Sequence, residues 1–200
     1  VSFEVPKPVP DACQIGRGIL VLVVGASGSG KDALISGARA RLSGDARFVF
    51  PERTITRAPH GAEHHGWLSD AAFESAEQQG QFAITWEAHG LRYGLPASMD
   101  EAVRQGRTVI VNGSRATIPA VRNRYARVAV FLVECPIGVR AHRLAQRGRE
   151  SHATIEARLA RMVPAFDPAD ADVRIDNSGA IEAGVEAIVV ALRSLASGRG

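Results

Sequence analysis

The run ILVLVV (Ile19–Val24), followed at once by GASGSGKD (Gly25–Asp32), constrains this chain more than any other feature. A short apolar, β-branched run between glycines reads as a buried strand. Gly25, Gly30 and Lys31 satisfy G-x-x-x-x-G-K, with a strand pattern before and a helix pattern after. The glycines let the backbone wrap so that several N–H groups of Gly25, Ala26, Ser27, Gly28, Ser29 and Gly30 converge on phosphate oxygens. The helix that starts here adds the positive end of its dipole, and Lys31 brings a point charge to the β- and γ-phosphates. ATP is the expected cofactor.

Such a loop normally places a Ser or Thr hydroxyl after its lysine as a magnesium ligand. This chain has Asp32 instead. A carboxylate oxygen is also a hard ligand, so Asp32 is expected to hold Mg²⁺, directly or through water. The competing reading is a carboxylate capping the helix N-terminus. A second acidic ligand often ends a neighbouring strand. Here TVIV ends in Asn112, which can orient a metal-bound water or a substrate hydroxyl, or simply serve the Asn-Gly turn.

Strand and helix patterns alternate along the chain, which predicts a parallel sheet with helices on both faces. Expected helices cover about 30–42, the SDAAFESAEQQG stretch with Ser69 as N-cap, SMDEAVRQG with a Ser98–Glu101 capping box, IGVRAHRLAQRG, TIEARLARMV and about 180–195. RFVFPERTITR reads as a second extended stretch, RTVIVNG and RVAVFLVE as core strands, and DVRIDN as a last short one. The fold class is therefore α/β, three layers around a central parallel sheet. Residues 1–17 read as a disordered, Pro-rich lead-in and 18–200 as one domain. Within it, 53–96 breaks the alternation as an inserted substrate-binding subdomain, and the Arg- and Gly-rich 146–154 is a candidate lid.

No apolar run approaches the ~20 residues that span a bilayer. The lead-in lacks the basic-then-apolar layout of a secretory signal. Cys13 and Cys135 make no disulfide framework or metal-ligand spacing, so a reducing, cytoplasmic setting is expected. The net charge is +3, and of the 24 Lys and Arg residues only Lys7 and Lys31 are lysine. Dispersed arginine of this kind reads as compositional bias, so neither nucleic acid nor a membrane is an expected partner. A homodimer is left open. The histidines at 60, 64, 65 and 89 read as loop residues rather than metal ligands. Trp67 and Trp86 read as core or hinge packing.

Motif by motif, the chain resembles the guanylate-kinase branch of the nucleoside-monophosphate kinases. It is most similar to the ribose 1,5-bisphosphate phosphokinases of phosphonate metabolism. GASGSGKD, RTITR, WEAHGLRYG, VNGSR, RGRE and IEARLAR carry the likeness, in that order, over roughly 18–192. The resemblance implies a P-loop fold with a substrate-binding insertion and an Arg-rich lid. It also implies transfer of a phosphoryl group from ATP to the 1-phosphate of ribose 1,5-bisphosphate, giving 5-phosphoribosyl 1-diphosphate. Lys31, Arg147 and Arg158 would be catalytic, and Arg143 and Arg149 would grip the ATP phosphates. Arg53, Arg57, Tyr93, Asn112, Ser114 and Arg115 would take the acceptor, although Arg53 can instead pair with Glu52 or Glu63.

Departures from a guanylate kinase bear on the acceptor. QFAIT puts Ile84 where that family has the acid reading the guanine edge, Asn112 replaces the strand-end acid, and GAEHHGWLSD offers no tyrosine. A base site stripped of hydrogen-bond partners loses heavily in discrimination. The remaining phosphate-binding groups suit a sugar phosphate. A guanylate kinase with altered base contacts is one alternative. A non-catalytic guanylate-kinase-like binding module is the other, and the intact loop argues against it.

Overall fold

The computed structural model describes residues 14–58, 65–146 and 166–198. Five parallel strands form the central sheet: β1 (Ile19–Gly25), β2 (Phe48–Val49), β7 (Thr108–Asn112), β8 (Val128–Glu134) and β9 (Val173–Asp176), in the order β2-β7-β1-β8-β9. Strand β1 lies at the centre, paired with β7 and β8. Its side chains alternate between two apolar clusters, so all six from Ile19 to Val24 are buried. Ile19, Val21 and Val23 meet α1 (Lys31–Arg41) and α6 (Ile181–Ser197) on one face. Leu20, Leu22 and Val24 meet α3 (Met99–Arg104) and α4 (Ile118–Arg124) on the other. An unbroken apolar run is what a strand covered on both faces requires.

The extended stretch around Pro51 divides between two sheets. Phe48 and Val49 pair with β7, whereas β3 (Thr54–Ile55) joins a second sheet with β4 (Gly66–Trp67), β5 (Phe82–Ala88) and β6 (Leu91–Pro96), ordered β4-β3-β6-β5. One face of the β5–β6 hairpin is covered by α2 (Asp70–Gln78), where Arg92 and Thr85 both bond Glu77. Phe73 of α2 stacks on Phe82 at 4.6 Å. On the other face, Ile84 and Leu95 enter the core of the main domain.

Local signals set several boundaries. Ser69 Oγ accepts the Ala72 N–H at 3.3 Å, as an N-cap should. Ser98 makes no side-chain cap, because the Asp100 N–H already bonds the Ala97 carbonyl at 3.0 Å and the turn starts one residue upstream of the expected capping box. Helix α4 escaped the sequence reading because of Pro119. That residue sits in the first turn, where a missing N–H costs no hydrogen bond. At the N-terminal side the chain is already paired at Ile15, which bridges Tyr125, so order begins before residue 18. The rest of the expected lead-in, the lid from 147 on and the TIEARLARMV helix lie outside the described residues.

Candidate active site

All strands of the central sheet point the same way, so their C-terminal ends share one edge. Gly25 ends β1, Asn112 ends β7 opposite Val23, and Asn177 follows β9. The loop from Gly25 to Gly30 lies on that edge and leads directly into α1. Its geometry needs glycine. Gly30 takes φ 91° and ψ 14°, and a Cβ there would meet Asn177 Nδ2 at 2.2 Å. That amide is buried and donates to the Ser29 carbonyl at 2.7 Å. A Cβ on Gly25 would meet the Val133 carbonyl at 2.5 Å. The neighbouring strand and Asn177 thus press the loop into shape from the protein side.

The loop forms one wall of a cleft whose far wall is the second sheet. Tyr93 is in register with Ile55 on one side and Trp86 on the other, so the three lie in a row on the sheet face that looks into the cleft. Trp86 stacks on Tyr93 with ring centroids 5.1 Å apart and planes 9° from parallel. Lys31, Arg53, Arg57 and Arg115 bring positive charge to the cleft, Asp32 brings a carboxylate, and Ser114 lies beside Arg115. Lys31 Nζ donates to the Gly25 and Ala26 carbonyls at 2.8 and 3.1 Å. Asp32 Oδ1 accepts from Asn112 Nδ2 at 2.6 Å and from Arg53 Nη2 at 3.1 Å. The other amide atom, Asn112 Oδ1, is buried without a hydrogen-bond partner among the described residues.

Several expectations meet the structure differently. Arg53 pairs with Asp32, while Glu52 pairs with Arg39. Arg143 is absent from the cleft lining and donates instead to the Asn177 carbonyl at 3.0 Å. It braces the residue that shapes the loop, and α5 (Ile137–Gln146) lies against the loop itself: a Cβ on Gly30 would meet Arg143 Nη1 at 3.5 Å, and one on Gly28 would meet the Arg140 carbonyl at 3.1 Å. Ser29 has a buried side chain and contributes backbone to the loop. Trp67 is 55% exposed, so it is not core packing, and Trp86 lines the cleft. His89 also lines it, held at φ 55° in the two-residue turn of the β5–β6 hairpin. A His-Gly pair between Ala88 and Leu91 was the available signal, since such turns demand positive φ at both residues. Asn177 went unremarked as a loop-shaping residue. Arg147, Arg149 and Arg158, and the histidines at 60 and 64, lie outside the described residues. His65 is buried, with Nδ1 2.9 Å from the Gly66 carbonyl.

A glycine loop between a central strand and a helix, with a cationic cleft at the C-terminal sheet edge, defines a nucleotide-dependent phosphotransferase of the P-loop class. Solved structures agree on the fold. Guanylate kinase from Anaplasma phagocytophilum aligns with TM-score 0.62 and 16% identity, covering 90% of this chain and 86% of that one. A gluconokinase from Sinorhizobium meliloti 1021 aligns with TM-score 0.52 and 17% identity, covering 91% and 95%. No family model matches the chain. Among curated proteins, ribose 1,5-bisphosphate phosphokinase PhnN of Brucella abortus is 46% identical over 90% of this chain and 94% of its own length. The enzyme of the same name from Chelativorans sp. is 44% identical over 92% and 88%. A bifunctional ribose 1,5-bisphosphokinase-thymidine phosphorylase of Azorhizobium caulinodans is 45% identical over 89% of this chain and 26% of its own. The chain belongs to the ribose 1,5-bisphosphate phosphokinase family.

Proposed function

We propose that the protein transfers the γ-phosphoryl group of ATP to the 1-phosphate of α-D-ribose 1,5-bisphosphate, giving ADP and 5-phospho-α-D-ribose 1-diphosphate. One observation carries the choice of acceptor within the family's fold. The position that would read a guanine edge is Ile84, 7% exposed and packed in the core, while Lys31, Arg53, Arg57 and Arg115 line the cleft. An apolar residue at that position takes away a hydrogen-bond partner on which guanine discrimination depends, and guanidinium groups select for phosphates.

The described residues suit both the nucleotide and its metal. The loop amides and Lys31 would hold the β- and γ-phosphates, and Asp32 would be the protein ligand to Mg²⁺. Asn112 Oδ1 beside that carboxylate, buried and without a hydrogen-bond partner among the described residues, is the kind of atom that a metal-bound water would satisfy. When bound, Mg²⁺·ATP supplies the activated phosphoryl group and offsets its charge. The protein's own part is positioning. Arg57, Tyr93 and Arg115 would fix the acceptor phosphates, with Ser114 at a ribose hydroxyl or the 1-phosphate. Arg147 and Arg158 would spread charge over the transferring group, and Arg149 would close over ATP with them. An acceptor phosphate is already a nucleophile, so no side chain has to remove a proton. This chemistry fits a cytoplasmic enzyme of phosphonate metabolism and phosphoribosyl diphosphate supply. The homodimer left open by the sequence gains no support. Among the described residues, no helix is long and apolar enough to cross a membrane.

The test is an acceptor screen with ATP and Mg²⁺ read by phosphorus NMR. Ribose 1,5-bisphosphate should yield a diphosphate signal that Lys31→Ala abolishes, and guanylate should yield none. Faster turnover of guanylate would overturn the assignment.

A further inference from the structure

Arg53 stands where the two halves of the site meet. It directly precedes β3 of the second sheet, yet its Nη2 reaches Asp32 Oδ1 of α1 at 3.1 Å. Its Cζ lies 5.9 Å from the centroid of the Tyr93 ring on the acceptor wall. The guanidinium-bearing side chain is 17% exposed, whereas that of Asp32 is 45% exposed and open to an incoming ion. Asn112 Nδ2 shares the same carboxylate oxygen, so Arg53 and Asn112 together hold Asp32 from the protein side.

Resting on the kinase reading above, we propose that Arg53 is a shared counter-ion: Asp32 holds it in the unliganded protein and releases it toward the acceptor phosphate when Mg²⁺ and ATP arrive. The physical reason is competition for one carboxylate. A divalent ion carries twice the charge of a guanidinium and approaches oxygen more closely, so it displaces Arg53 or drains the charge that retains it. The released guanidinium keeps its cation–π contact with Tyr93, and the acceptor phosphate offers it a bidentate partner. Arg53 is thus a positioning residue that makes each site sense the other, and by linkage the effect is reciprocal.

The sign of the coupling is diagnostic. Mg²⁺·ATP is a net anion, so placing it beside an anionic acceptor should weaken acceptor binding by simple repulsion. Release of a half-buried guanidinium reverses that sign. The experiment titrates ribose 1,5-bisphosphate into the intact protein by calorimetry, with and without Mg²⁺ and a non-hydrolysable ATP analogue. Wild type should bind the acceptor about tenfold more tightly with the nucleotide present, within the range usual for coupled sites. Asp32→Asn should raise acceptor affinity without nucleotide, and in Arg53→Gln both the coupling and the gain from Asp32→Asn should vanish. Arg53→Lys, which keeps the charge but loses the planar fork, should retain part of the coupling and serves if Arg53→Gln folds poorly. A gain from Asp32→Asn that persists in the Arg53 variants would show a general field effect and overturn the inference. Equal or weaker acceptor binding in wild type with nucleotide would overturn it too. No acceptor binding under either condition would overturn this inference together with the kinase reading.

Discussion

Replacing Gly30 with alanine tests whether the phosphate loop is shaped by the protein behind it. Two penalties follow from the geometry. At φ 91° an L-residue is strained by about 1–2 kcal/mol. The new Cβ would also lie 2.2 Å from Asn177 Nδ2, so the amide must leave the Ser29 carbonyl that it now bonds at 2.7 Å. Stranding that buried carbonyl costs about 1–3 kcal/mol. The total, about 2–5 kcal/mol, should lower the melting temperature by roughly 5–20 °C in a chain of this size. It should also weaken ATP binding, because the loop amides turn away from the phosphates. The sharper test is the double variant. Asn177→Ala alone loses the same hydrogen bond, but it removes the group with which the Cβ collides. Gly30→Ala in that background should therefore add only the backbone strain, leaving the pair sub-additive by about 1–3 kcal/mol. Thermal and urea denaturation of the four proteins, with nucleotide titration of each, closes the cycle. Strictly additive penalties, or a Gly30→Ala variant that melts and binds ATP like wild type, would refute the claim that Asn177 shapes the loop.

Other residues give independent tests. His89→Asn should keep the hairpin, since asparagine suits a positive-φ turn residue, while removing the longer imidazole and its ring N–H from the cleft. The KM for ribose 1,5-bisphosphate should rise about tenfold or more, with the KM for ATP unchanged. An unchanged acceptor KM would return His89 to the role of a plain turn residue. Tyr125 is buried and donates to Asp100 Oδ1 at 2.5 Å, and burial foremost, then that bond, raises its pKa above the ordinary 10. The native state then keeps a proton that the unfolded chain releases above pH ~10, so this contribution to stability is complete below that pH and fades as pH rises through the folded value. Denaturation midpoints of Tyr125→Phe should be lower at pH 8 and fall less steeply above pH 10. An identical alkaline slope in the two proteins would sink the account.

How much of this was legible in the sequence depends on distance along the chain. Ile19–Val24 with Gly25, Gly30 and Lys31 specify strand, turn and helix through neighbours only, and the structure follows them closely. The Ser69 cap works for the same reason. Partnerships across the fold were hidden. Arg53 finds Asp32, 21 residues away, because a strand of the second sheet passes the start of α1. Asn177 finds Ser29, 148 residues away, because β9 ends at the edge where β1 does. Arg143 donates to the Asn177 carbonyl, 34 residues away, beside the loop that Asn177 shapes. Helical spacing tells which residues share a face but not which cavity that face overlooks. Trp86 and His89 joined the site through strand register, which pairs Trp86 with Tyr93 and leaves His89 in the turn.

The absence of a general base from the proposed chemistry has a kinetic consequence. A phosphate attacks best as its dianion, whose last proton leaves near pH 6. The rising limb of kcat/KM for the acceptor should therefore belong to the substrate. Among described residues lining the cleft, Lys31, Arg53, Arg57, Arg115, Asp32, Tyr93 and His89 can carry or exchange protons, and only histidine has an ordinary pKa close to that limb. His89→Asn separates the two origins. If the substrate sets the limb, the variant retains it at the same pH with a lower plateau. If His89 takes a proton from the acceptor, the limb disappears and kcat falls by the 10²–10⁴-fold usual for a lost base. Measuring the profile against phosphate ionisation followed directly by phosphorus NMR makes the comparison internal. Agreement of the two midpoints in both proteins would establish that binding energy here is used to hold two anions together, with no proton transfer asked of the enzyme.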